Sequence, residues 1–94
     1  MKVHAQIDQQ GFKIDEVFSG ANADAIVGQM KARVAKEMSF SMKLLINAAP
    51  NLTFAREVVK RYAEGTKKTL PEPTSCEHFL QIAQEEKLVT VLEA

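Results

Sequence analysis

An α+β fold is what this sequence predicts: an N-terminal antiparallel β-hairpin packed against three or four α-helices, with a C-terminal strand available to join the sheet. Three observations carry that expectation. Apolar and polar residues alternate up to about Phe18, apolar residues recur at steps of three and four from Asn22, and Val89-Thr90-Val91-Leu92 is a short β-rich run. At 94 residues the chain has room for one core, so residues 1–94 are read as a single small globular domain.

The hairpin comes first. Val3, Ala5 and Ile7 alternate with Lys2, His4, Gln6 and Asp8, and Phe12 and Ile14 alternate with Lys13 and Asp15. A period of two puts one set of side chains on each side of a strand. Gly11 closes the polar stretch Asp8-Gln9-Gln10 and supplies the positive φ of a turn, so strands are expected at about 2–8 and 11–18.

The helical stripe that follows runs through Ala23, Val27, Met30, Val34, Met38, Ser41, Leu45 and Ala48, with Asn22 as N-cap and Pro50 setting the end. Periodicity alone leaves open whether residues 22–49 form one helix or two. As one helix these residues would reach ~42 Å, beyond the roughly 32 Å diameter of a compact domain of this length, which favours a bend near Ser39. Lys43 is the single charge between Phe40 and Ala49, so that stretch is expected to be the most buried helix, with Leu45 close to Ile14, Val59 and Phe79.

A third helix is expected from Asn51 as N-cap to Glu64, with Leu52, Ala55, Val58, Val59 and Tyr62 inward and Gly65 as the residue that ends it. On its outer side Glu57 with Arg61 and Lys60 with Glu64 stand four apart and can pair. Gly65 to Pro73 forms a loop anchored by Leu70. Thr74 and Glu77 then have the spacing of a capping box, opening a helix to about Lys87 that buries Cys76, Phe79, Leu80, Ile82 and Ala83. Whether the C-terminal strand pairs within the chain or between two copies is not decided by its sequence.

Composition excludes several classes of function. Apolar runs are at most three residues long, as in Leu44-Leu45-Ile46, so no membrane span is expected, and the alternating opening lacks the pattern of a secretion signal. The single cysteine cannot form an internal disulfide, which fits the reducing cytoplasm. A net charge of zero hides segments of opposite sign. Residues 1–30 carry two cations and four anions, residues 31–68 nine and three, and the remainder one and five. Such a middle can meet an anionic partner, or the acidic ends of its own chain.

Chemistry-bearing patterns are sparse. His4 stands on the polar side of a strand and reads as a surface histidine. Cys76 and His78, two apart on a helix, diverge by roughly 200° and do not face each other; Cys76 is expected to be an inert core thiol. Asp15-Glu16 and Glu85-Glu86 are adjacent and point to different sides, which suits solvated charge better than acid-base work. The glycines are too scattered for a phosphate loop, and no second histidine or cysteine stands at ligand spacing. No catalytic residue, metal or cofactor is expected.

The functional expectation is therefore a small non-enzymatic protein-interaction domain that self-associates as a homodimer. Phe40 and Met42, which leave the core stripe, are its expected contact surface. The alternative is a nucleic-acid-associated protein using the basic middle, with Lys31, Arg33, Lys36, Lys43, Lys67 and Lys68 as the anion-contact surface.

Overall fold

A computed structural model describes residues 1–9, 12–36 and 40–94, with the side chains of 9, 12 and 40–43 outside the description. Strands β1 (Lys2–Gln9) and β2 (Phe12–Ser19) pair antiparallel, joining Lys2 to Ser19 and Ile7 to Ile14. The reading of Gly11 as the turn glycine lies outside the described residues. Strand β3 (Val89–Glu93) pairs antiparallel with β1 of the same chain, so the sheet order is β2-β1-β3. Val3 faces Val91 and Lys2 faces Glu93, which leaves Leu92 as the extra residue of a bulge. A short, bulged strand is a poor template for a further strand.

Helices α1 (Ala23–Ala35), α2 (Phe40–Ala48), α3 (Asn51–Thr66) and α4 (Cys76–Glu85) complete the α+β fold. Val3, Ala5, Ile7, Ile14, Phe18 and Val89 are buried on one side of the sheet, in one core with Ile26, Met30 and Val34 of α1, Phe54 and Val58 of α3, and Phe79, Leu80 and Ile82 of α4. Gln6, Asp8, Lys13, Asp15, Val17 and Thr90 are exposed on the other side. The radius of gyration is 12.2 Å, the ~12 Å expected of a compact chain this long.

Residues 22–49 contain two helices. The one expected to be central is not: Leu44 and Leu45 are 55% and 66% exposed, and Ala48 is exposed as well. Three strands at ~4.8 Å spacing give a sheet only ~14 Å wide, and packed helix axes stand 8–10 Å apart. That face is filled by α1 beside β2, α4 beside β3 and α3 toward β1, while the chief neighbour of α2 is α1. The lack of charge in α2 therefore did not signal burial, and α1 holds the central place. Leu45 is not part of the core that holds Ile14, Val59 and Phe79.

Helix ends also differ from expectation. The N-cap position of α3 is Pro50, without a side-chain cap bond. Asn51 instead donates to the backbone O of Asp24 at 3.1 Å and to its Oδ1 at 3.2 Å, tying α3 to the start of α1. Gly65 is helical, and α3 ends at Lys67 in the left-handed region, with φ of 57°. The α4 cap is one residue later than Thr74 and Glu77 imply. Ser75 Oγ accepts from the His78 backbone N–H at 3.0 Å, and His78 Nδ1 accepts from the Thr74 N–H at 3.0 Å. Leu52 and Ala48 are less buried than their stripes imply, whereas Phe54, which the α3 stripe left out, is buried.

Candidate interaction surfaces

Most of the basic middle is engaged within the fold. Lys31 of α1 donates to the Ala49 carbonyl at 2.6 Å, placing a cation at the negative end of α2. Arg33 pairs with Glu16. Glu16 faces Ala5 in the β1–β2 register, on the helix side of the sheet, so the expectation of plain solvated charge is corrected for this residue. Arg56 donates to the Pro73 carbonyl at 3.0 Å and pairs with Glu72 at 3.1 Å. Arg61 pairs with Glu57 at 3.0 Å, as its spacing predicts, while no ion pair joins Lys60 to Glu64 among the described residues.

Lys68 pairs with Glu86 at 2.7 Å and stands 5.9 Å from the centre of the Tyr62 ring. Tyr62, itself buried, donates its hydroxyl hydrogen to Glu86 at 3.1 Å. The Lys68 bond holds the Glu86 carboxyl below its ordinary pKa, and the carboxylate raises that of Lys68. These contacts fasten the end of α3 to the end of α4. Of the six cations expected to form one anion surface, Lys31, Arg33 and Lys68 thus serve the fold, Lys36 and Lys67 are exposed on different elements, and the side chain of Lys43 lies outside the described residues.

Cys76 is 7% exposed, and its thiol donates to Asp24 Oδ1 at 3.6 Å. Burial, reinforced by the Asp24 carboxylate, pushes its pKa up to about 11, so the thiol is protonated at neutral pH. His78 serves the α4 cap. His4 Nε2 is 2.8 Å from Asp15 Oδ1 on the open side of the sheet, both side chains reaching solvent. No cluster of three metal-ligating side chains occurs among the described residues, and none of their helices is long and apolar enough to cross a membrane.

Beside the open side of the sheet, where Val17 is 53% exposed, two further surfaces stand open among the described residues. One is the outer side of α2, with Leu44 and Leu45. Phe40 and Met42, the expected self-association residues, belong to the same helix, but their side chains lie outside the described residues. The other is an open groove of about 750 Å³ between α3 and residues 67–72, lined among others by Val59, Lys60, Ala63, Lys67 and Leu70. Sequence reasoning missed it, although a polar helix face followed by a Pro-stiffened loop was its visible signal. Compared with known proteins, the chain matches no family model, no curated protein and no solved structure.

Proposed function

We propose that this chain is a small, non-catalytic protein-interaction domain of the cytoplasm that self-associates through α2. The observation that carries the reading is the exposure of Leu44 and Leu45, adjacent on a helix whose other side is already used against α1. Removing a leucine side chain from water stabilises by up to ~1.5–3 kcal/mol, so two copies meeting at α2 gain from two leucines each. A nine-residue helix is only ~13.5 Å long. It buries a few hundred Å² per subunit, short of the ~800 Å² of a standard stable interface, which makes the association weak and concentration-dependent. A two-fold arrangement suits a surface that must match itself.

Amide hydrogen exchange at high and low protein concentration tests this reading. Protection in α2 should fall on dilution while that of β1 and α4 stays constant. Equal α2 protection at both concentrations, with a constant monomer mass, would refute self-association. Nucleic-acid contact through the basic middle is the weaker reading, because the cations that would be needed together are dispersed or paired within the fold.

A further inference from the structure

We propose that the groove between α3 and residues 67–72 binds an extended acidic peptide of a partner protein, an apolar peptide side chain resting on Val59 and Leu70 and peptide carboxylates meeting Lys60 and Lys67. No α2 residue is among the described residues that line the groove, so this inference stands apart from self-association.

Size and rigidity come first. Thr53 and Lys67, both in the lining, are fourteen residues apart along α3, or ~21 Å at ~1.5 Å per residue. Six extended peptide residues at ~3.3 Å each span that length. The far wall is held in place, because Arg56 grips the Pro73 carbonyl and Glu72, and Leu70 packs against the core. A preformed groove spares a ligand the cost of ordering it.

Charge selects the ligand. Lys60 and Lys67 are exposed and make no ion pair or side-chain hydrogen bond among the described residues, unlike their neighbours Arg56, Arg61 and Lys68. Both line the groove, Lys60 from within α3 and Lys67 from the left-handed residue that ends it, with their backbones ~10.5 Å apart along the helix axis. A polyproline II segment spaces every third residue ~9.3 Å apart, so two carboxylates of one peptide can reach both flexible side chains. Of the three carboxylates in the lining, Glu57 is paired with Arg61 and Glu72 with Arg56, which leaves Glu64 to disfavour the evenly spaced phosphates of a nucleic acid. A peptide with two separated carboxylates can place an apolar residue beside Glu64.

An octapeptide phage library panned against the full chain tests the proposal, with selected peptides synthesised and their binding measured by fluorescence anisotropy. Sequences with Asp or Glu flanking an aliphatic or aromatic residue should be enriched. Binding should weaken roughly tenfold in K60A/K67G, the effect of losing two solvent-exposed charge pairs, and stay unchanged in K13A, which removes a cation from the open side of the sheet, away from the groove. Replacing Lys67 by glycine relieves the positive φ, so the variant should melt no lower than the parent and lost binding would not reflect unfolding. Failure to enrich any sequence family, enrichment of basic or uncharged sequences, or equal affinity in K60A/K67G would overturn the assignment. So would an oligo-dT strand that binds more tightly than the peptides in the same buffer. A fall in sedimentation mass in K60A/K67G would also overturn it, by making a second copy the occupant.

Discussion

A Cβ placed on Gly20 would meet the Ala25 Cβ at 2.8 Å, closer than such atoms come, so this glycine lets the end of β2 turn directly into α1. G20A is expected to lose about 1–3 kcal/mol of stability to the forced shift, read as a lower urea midpoint with an unchanged slope. Lys67 presents the opposite case: K67G removes the strain of a left-handed lysine and should be neutral or stabilising by up to about 1 kcal/mol. Cys76 carries a pH prediction. Its folded pKa stands above the ordinary thiol value of 9.0, at about 11, so its contribution to stability is complete below pH 9 and is lost as pH rises through the folded value. The decline between these pH values should be smaller in C76A, and thiol labelling of the folded protein at neutral pH should be slow. A steep loss that C76A shares in full would contradict this account of the thiol.

Among the elements, α2 and α4 give the sharpest contrast. F79A should cost about 3–5 kcal/mol, since Phe79 is 1% exposed in the core, whereas L45A should change the stability of the monomer by less than about 0.5 kcal/mol. S75A should cost about 0.5–2 kcal/mol by leaving the His78 N–H without its cap. All five inward residues of α4 were legible in the sequence, because its apolar residues alternate with Glu77, Gln81, Gln84 and Glu85 and leave one side to bury. The stretch 40–49 has no such contrast. Its apolar character states that burial is favourable but not against what, and the width of a three-stranded sheet, which excludes α2, is set by the whole fold. The α3 ending was hidden for a related reason: Gly65 is the residue best suited to stop a helix, but the chain continues to Lys67, where the Lys68 bond to Glu86 and the ring of Tyr62 fix the following residue.

At the scale of the molecule, a chain of zero net charge with opposed segments uses much of that opposition internally, through Glu16 with Arg33, Glu72 with Arg56 and Glu86 with Lys68. The hairpin and the helices after Pro50 were readable from periodicity and the β-rich tail offered a third strand, but periodicity left the number of helices in residues 22–49 open, and which lysines would be free was not readable at all, because pairing depends on distances between remote elements. The Lys68–Glu86 pair adds a dependence at both ends of the pH scale. The lowered folded pKa of Glu86 makes its contribution present above about pH 4.5 and lost as pH falls through the folded value. The raised pKa of Lys68 makes its contribution present below pH 10.5 and lost as pH rises through the folded value. E86Q should flatten both limbs of the stability profile, and an unchanged acid limb would assign that loss to other carboxylates. Association of whole molecules is the larger claim, and sedimentation equilibrium across the micromolar range addresses it directly in the parent protein and in L44K/L45E. Because both leucines are exposed in the single subunit, the double variant should fold as stably as the parent. The parent should rise from a mass of 10.4 kDa toward twice that value with concentration, while L44K/L45E remains at 10.4 kDa throughout; a parent that stays at 10.4 kDa, or a double variant that associates equally well, would contradict the account.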